Sequence, residues 1–577
     1  MARISGSEAM VEALRREGVQ HVMGIVGSAF MDPLDLFPAA GLRFIQVRHE
    51  QSAALMAEGY SRATGQPGVC IGQNGPGITN LLTGLASAQL NHTPVVALTP
   101  AVLSGAIGTR AFQEIDQMRM LDPLVVWQMQ VNRPERMGEA IRGAFRAACA
   151  LRGPAQVDIP RDAYYGTWDE PELDPAQYRT SGRLGGADEA DLARAVQALA
   201  TARRPAILAG LGVVESDAQA LADQLAERLS APLACVWQHN DAAISSRPLS
   251  VGPVGYQGSE AAMRLLSEAD VVIALGTRLN AFGTTPQYGL DWYPRGAKLI
   301  HNSMNPLDIG AVRPVHAGLV GDCGAVLRQL LAALDGQPLA VDAGARRAAI
   351  AAAKAAWNDK LAQMSRIEQR AGSAIHPRRA MWEAGRALKG CGRDVAVVAD
   401  VGNISGSAGA YFDWFERGRR WYGAGSLGGI GVSYPTALGV KLARPEMPVV
   451  ALVGDGAWSM TMQEVMTAVR EDLPVCALLF NNGVYGAERR NQYDFFKERY
   501  FFTDLQNPSF ADIARAMGAA AVSVERAEDI GGAIEAMLAQ GKPSVIEVHT
   551  DGAVLNEPYR RDALQPPVRV MPRYTAS

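Results

Sequence analysis

The stretch from Pro448 to Asn482 constrains this chain more than any other. An apolar run, Pro448-Val449-Val450-Ala451-Leu452-Val453, leads directly into Gly454-Asp455-Gly456. A second run, Pro474-Val475-Cys476-Ala477-Leu478-Leu479-Phe480, ends at Asn481-Asn482. Each run is short, free of charge and opened by proline, the pattern of a strand buried on both faces of a parallel sheet. Residues 463–471, between the runs, read as a helix. The order is strand, turn, helix, strand. A right-handed crossover brings both strand ends to one carboxyl edge, where α/β sheets take their ligands. The glycines permit a sharp turn and a close approach of backbone to ligand. A carboxylate and an amide at that edge are oxygen donors suited to Mg²⁺, which keeps few protein carboxylates and fills its shell with phosphate and water. The plain alternative is an ordinary turn with an Asn cap.

The rest of the chain repeats this alternation. Apolar runs at 22–26, 44–47, 68–71, 95–99 and 155–159 fall within residues 1–180, and residues 167–188, rich in Asp, Glu, Pro and Gly, read as a linker. Runs at 205–209, 232–236, 271–275 and 298–301 fall within residues 190–335, and residues 335–374 read as a connecting helix. Runs at 395–399, 449–453, 475–480 and 544–548 fall within residues 376–577. Short apolar runs alternating with helices predict three doubly wound parallel-sheet α/β domains. The 577 residues leave room for them on the usual prior of about three or four domains.

Charge narrows the choice of partners. There are 55 basic and 59 acidic residues and a net charge of −4, which gives no electrostatic case for nucleic acid or an anionic membrane. No apolar run approaches the length of a membrane-spanning helix, and residues 5–18 form an amphipathic, charge-bearing helix instead of a signal peptide. The six cysteines are scattered and form no CxxC, which fits a reducing compartment and argues against zinc or a disulfide framework. The expectation is a cytoplasmic protein.

The segment from Gly454 to Asn482 resembles the GDG and NN motif of thiamine diphosphate enzymes. On that resemblance Asp455 and Asn482 hold Mg²⁺ through side chains and Val484 through its carbonyl, and Gly454, Gly456 and Ala457 lie against the diphosphate. Arg48-His49-Glu50-Gln51, the segment 57–65 and Gln73-Asn74-Gly75-Pro76-Gly77 resemble the pyrimidine-binding domain of acetolactate-synthase-type enzymes. Alone, Glu50 could simply favour a helix N-terminus. The resemblance implies that it binds N1′ of the aminopyrimidine, favouring the tautomer whose 4′ nitrogen takes the C2 proton. Gly75 would lie in the same cofactor site. Asp400-Val401-Gly402-Asn403-Ile404 resembles the loop that helps bind diphosphate, which assigns Asn403 and Ile404. In the segment 425–431, the resemblance implies that Gly428 belongs to the cofactor site and that Ile430 falls where the family places an apolar wedge beneath the two rings; its plain alternative is a core residue after a Gly-rich turn. The three domains then become pyrimidine-binding (1–180), central (190–335) and diphosphate-binding with a C-terminal tail (376–577). In this superfamily Glu and metal come from different subunits, so a homodimer or homotetramer with active sites at the subunit interface is implied.

Further segments resemble one family, the sulfoacetaldehyde acetyltransferases. They include Asn91-His92-Thr93-Pro94, Phe112-Gln113-Glu114, Gly255-Tyr256-Gln257-Gly258, the segment 485–492 and the segment 557–564. Membership implies that sulfoacetaldehyde and phosphate become acetyl phosphate and sulfite. Both reactants are anions, and Arg suits flat, multi-point recognition of such oxyanions. Arg489, Arg490, Arg560 and Arg561 are the candidates for sulfonate and phosphate. His92 and Gln113 match positions that line the cleft in related enzymes, and Ser28 lies on the loop after the first strand, which faces the cleft in such folds; these are the further catalytic candidates. In flavin-binding relatives the central domain carries two acids before a proline, where this chain has Ser303 and Asn305 before Pro306. No FAD is expected, and the central domain is left a structural role. Two alternatives stay open: an acetolactate-synthase-like or 2-oxoacid decarboxylase activity on pyruvate, and a catalytically silent scaffold.

Overall fold

The apolar runs become buried strands in the computed structural model, which describes residues 2–180, 184–294, 296–370, 372–416, 418–557 and 564–571. Three six-stranded sheets result, every pairing in them parallel. The first runs Arg43–Gln46, His21–Gly24, Gly68–Ile71, Val95–Ala101, Pro154–Pro160, Trp127–Gln130 across the sheet. The third runs Trp421–Gly423, Ala396–Ala399, Val449–Gly454, Val475–Asn481, Ser544–His549, Ala520–Val524. Counted within each unit, both follow the order second, first, third, fourth, sixth, fifth. The central sheet runs Ser250–Val254, Leu233–Val236, Pro205–Ala209, Val271–Leu275, Lys298–Ser303, Ala317–Val320. That is the order of dinucleotide-binding sheets.

Two segments differ from the sequence reading. Residues 167–188 are not wholly a linker: Thr167–Glu170 pairs antiparallel with Ala2–Ser5. The pairing closes the chain's start onto the end of the first domain, beside helix Gly6–Arg16, whose Ser5 cap and Glu8 form a reciprocal capping box. The helix expected over 463–471 forms over Val465–Glu471 after the tight turn Met462–Glu464, and a further helix, Asp455–Thr461, starts immediately after the strand.

The central domain has a core of its own. The first and third domains share one, in which Met23, Ile45 and Cys70 of the first sheet join Val449, Ala451 and Val453 of the third. Helices Glu50–Thr64 and Ser433–Ala443 fill the space between. They cross backbone on backbone. A Cβ on Gly439 would stand 2.0 Å from the Met56 carbonyl oxygen, and one on Gly59 2.2 Å from that of Thr436. No helix among the described residues is long and apolar enough to cross a membrane. All six cysteines are free.

Candidate active site

In the third sheet the strand order reverses between Ala396–Ala399 and Val449–Gly454, and a cleft of about 320 Å³ opens there. Ligands of doubly wound sheets bind at such switch points. Gly402, Asn403 and Ile404 line it from one loop, Gly454, Asp455, Gly456 and Ala457 from the next, and Gly428, Ile430, Asn482 and Val484 from the sides. Three helices, Asn403–Tyr411, Asp455–Thr461 and Gly486–Phe495, begin at its wall. The N–H groups of their first turns and their dipoles give positive potential suited to a diphosphate. Gly402, at φ 99°, has open space where a Cβ would be, so the backbone there stands clear for a ligand to approach.

Asp455 is held in place before any ligand arrives. Its oxygens accept the N–H of Gly456 at 3.0 Å, that of Gly483 at 2.8 Å and the amide of Asn507 at 2.7 Å. Burial raises its carboxyl above the ordinary range, and those hydrogen bonds pull the other way. Asn482 Oδ1 accepts the Val484 N–H at 3.1 Å, which folds the chain so that both residues face the cleft. No cluster of three His, Cys, Asp or Glu occurs among the described residues. A single carboxylate with an amide and a carbonyl is a low-charge oxygen set, which fits Mg²⁺ sharing a diphosphate and does not fit zinc. Asp400, fully buried, accepts the N–H groups of Val401, Gly431 and Ser433 at 2.8, 3.0 and 2.9 Å. It therefore ties the loop before Asn403 to the backbone just after Ile430.

The first sheet reverses between His21–Gly24 and Gly68–Ile71. Its switch-point loops hold Ser28, which is exposed, and Gly75, at φ 73°. Gln73 joins them: its Oε1 accepts the Ala29 N–H at 3.1 Å and its Nε2 donates to Gln113 Oε1 at 3.0 Å. A Cβ on Gly75 would meet the Gln113 carbonyl at 2.5 Å. Glu50 is buried at the start of its helix, accepts the Asn80 amide at 3.0 Å, and has Oε1 3.1 Å from where a Cβ on Gly77 would be. Glu50, Gly75, Gln113 and Ser28 thus gather at one edge. None of them lines the cleft that holds Asp455.

His92 belongs to neither group. It lines a cavity of about 520 Å³ where all three domains meet, with Arg152, Arg278, Ser303, Asn305 and Arg419. Burial, reinforced by Arg278, lowers its pKa to about 4. Arg489 and Arg490 are both engaged within the chain. Arg489 pairs with Asp504 at 2.6 Å and stacks on Tyr500, and Arg490 makes a forked pair with Asp494 and donates to the Asn556 carbonyl at 2.8 Å. Arg560 and Arg561 lie outside the described residues. The cleft wall carries no Lys or Arg among the described residues, which leaves the helix N-termini as its source of positive potential.

Sequence reasoning missed four contributors. Trp237, Tyr256 and Phe282 of the central domain wall the cleft, so that domain is not merely structural. The Tyr256 hydroxyl donates to Asn403 Oδ1 at 3.1 Å; the glycines bracketing Tyr256-Gln257 were its only sequence signal. Asn507 reaches Asp455 from far along the chain, and no local pattern marks it.

Comparison with known proteins agrees with this geometry. Residues 4–120, 192–330 and 400–548 match the thiamine pyrophosphate enzyme N-terminal TPP binding domain, central domain and C-terminal TPP binding domain. The chain is 43% identical to a sulfoacetaldehyde acetyltransferase of Alcaligenes xylosoxydans xylosoxydans, over 99% of this chain and 97% of the relative. It is 44% identical to one of Castellaniella defragrans, over 98% and 96%. An acetolactate synthase of Mycobacterium bovis is 34% identical, over 92% and 85%.

Proposed function

The chain belongs to the thiamine pyrophosphate enzymes, and from that premise we propose that it converts sulfoacetaldehyde and phosphate into acetyl phosphate and sulfite. The observation that carries the reading is likeness to sulfoacetaldehyde acetyltransferases along nearly the whole of both chains, against a lower identity to acetolactate synthases. Thiamine diphosphate, when bound, supplies a carbon nucleophile for the aldehyde and an acyl carrier from which phosphate takes the acetyl group.

The protein's own part is binding, orientation and proton handling. Asp455, Asn482 and the Val484 carbonyl would hold Mg²⁺, and the three helix N-termini would receive the diphosphate. Ile430 would set the angle between the two rings. Glu50 would hold a proton at N1′. Arg489 and Arg490 are weak candidates for the anionic reactants, since their acidic partners must first be displaced. Gln113 stands beside Glu50's loops and is better placed to meet the substrate than His92.

Glu50 does not line the cleft that holds Asp455 in the same chain, which supports an active site completed by a second copy, in a homodimer or homotetramer. Exposed apolar side chains beside both regions support the same reading: Phe112, 87% exposed, next to Gln113, and Phe502, 95% exposed, near Asp504. Free cysteines support a reducing, cytoplasmic setting. The test is to give the protein, loaded with thiamine diphosphate and Mg²⁺, either sulfoacetaldehyde together with inorganic phosphate, or pyruvate. Sulfite from the first supports the proposal. Carbon dioxide from the second without sulfite from the first places the enzyme with the synthases and decarboxylases, and no product from either favours the silent scaffold.

A further inference from the structure

Glu464 belongs to the third domain, yet its carboxylate serves the first. It ends the tight turn Met462–Glu464 and is fully buried. Its two oxygens accept the Arg48 N–H at 3.2 and 3.1 Å, with the His49 N–H beside them, and Oε2 also accepts the Thr467 hydroxyl at 2.7 Å. Arg48 and His49 are the residues immediately before helix Glu50–Thr64. That helix has a poor cap of its own. His49 stands at the position that Ser, Thr, Asp or Asn usually fill, and its ring Nδ1 accepts only the Gln51 N–H, at 3.1 Å. An anionic acceptor at a helix start satisfies donors the helix cannot, and is favoured by the dipole. Here the acceptor comes from another domain.

The contact is one point of a longer grip. Arg43 pairs with Glu471 at 2.8 Å, and Arg470 and Thr467 both reach Gln46. Helix Val465–Glu471 therefore holds the strand that leads to Glu50 along its length, and Glu464 holds its end. The outer contacts involve the half-exposed Arg43 and Arg470 side chains, where ion pairs contribute little. Glu464 is different: a carboxylate stripped of water persists only if donors surround it, and removing it would take from the part-buried Arg48 N–H the acceptor it has.

We propose that Glu464 is a positioning residue for Glu50: by fixing the first turn of the helix it sets the direction of the Glu50 carboxylate. The inference rests on the reading of Glu50 given above. A shift of about 1 Å in a catalytic group can slow a reaction on the order of 100-fold, while the diphosphate end of the cofactor is held by other residues.

The experiment uses the full-length enzyme saturated with thiamine diphosphate and Mg²⁺. It measures three things for Glu464→Gln and Glu464→Ala: cofactor affinity by tryptophan quenching, turnover, and exchange of the cofactor C2 proton for deuterium. The expected result is affinity within about threefold of wild type, with C2 exchange slowed about 10- to 100-fold in the Ala variant. The Gln variant, which keeps one carbonyl acceptor, falls between. Arg43→Ala, which loosens the exposed end of the same grip, leaves exchange unchanged. Wild-type exchange in either Glu464 variant overturns the proposal, as does a loss of affinity and melting temperature that fully accounts for slower exchange. If Glu464→Ala does not fold, Glu464→Gln alone decides. Glu50→Gln separates the premises: were it to exchange at the wild-type rate, the reading of Glu50 itself would fail.

Discussion

Replacing Gly439 by Ala tests whether the first and third domains are joined backbone to backbone. The added Cβ would lie 2.0 Å from the Met56 carbonyl oxygen, 2.8 Å from its carbon and 2.9 Å from the Tyr60 nitrogen. Carbon and oxygen do not approach much below about 3.2 Å, so the two helices must part by about 1 Å. The obstacle is main chain in the middle of a helix and cannot rotate away. The neighbours on both sides, Ala53, Met56, Ala57, Ala437 and Leu438, are fully buried, so the displacement spreads into packed core. Overpacking of this kind costs about 1–3 kcal/mol, against a gain of about 0.8–1 kcal/mol from the better helix propensity of Ala. With a backbone obstacle the steric side wins, and a net loss of about 1 kcal/mol corresponds to a midpoint lowered by about 2–4 °C in a domain of this size. Glu50 rides on the same helix, so turnover falls with it. The assay is thermal unfolding at one fixed scan rate, since a protein this large need not unfold reversibly, alongside turnover. Gly532→Ala is the control: its helix is open there, with nothing within 4 Å, so the same change should be neutral or stabilising by up to about 1 kcal/mol. A Gly439→Ala protein as stable and active as wild type would refute the close crossing.

Three further outcomes are expected. Asn507→Ala removes the amide that orients Asp455, and Mg²⁺-dependent cofactor affinity should fall about 10- to 100-fold in a calorimetric titration, as for other outer partners of metal ligands. Tyr256→Phe loses the bond that turns Asn403 toward the cleft, and affinity should fall about three- to tenfold with no change in melting temperature. His92 has its pKa lowered from 6.5 to about 4, so its contribution is complete above pH 6.5 and is lost as pH falls toward 4. At pH 5 the loss is about 2 kcal/mol, and a His92→Gln protein should show a flatter fall in denaturant midpoint between pH 6.5 and 4; an identical slope would mean that His92 is not buried in its neutral form.

The parts of the fold legible in sequence were the ones the sheet buries. Every strand recognised as an apolar run is interior, except Arg43–Gln46. In the three large sheets the five that escaped, Trp127–Gln130, Ser250–Val254, Ala317–Val320, Trp421–Gly423 and Ala520–Val524, all lie at sheet edges. An edge strand is paired on one side only and needs less apolar length, so Trp127-Gln128-Met129-Gln130 and Ala520-Ala521-Val522-Ser523 blend into their surroundings. At the site, the glycines and the acids of Gly454-Asp455-Gly456 and Asp400-Val401-Gly402-Asn403 were readable because backbone turns leave a residue signature. Glu464, Asn507 and Tyr256 were not. Each acts across a domain boundary or a long chain separation, through one side chain whose type is unremarkable where it stands. The arginines illustrate the reverse: Arg489 and Arg490 looked available in sequence, and Asp504 and Asp494 occupy them in the fold.

The central claim concerns which bonds are exchanged, and stoichiometry tests it most directly. The enzyme, with thiamine diphosphate and Mg²⁺, is given sulfoacetaldehyde with and without inorganic phosphate, and sulfite and acetyl phosphate are counted in the same sample. The account predicts equal amounts of the two products, with acetyl phosphate formed only when phosphate is present. Sulfite released with no acetyl phosphate in the presence of phosphate, or no sulfite at all, would contradict it.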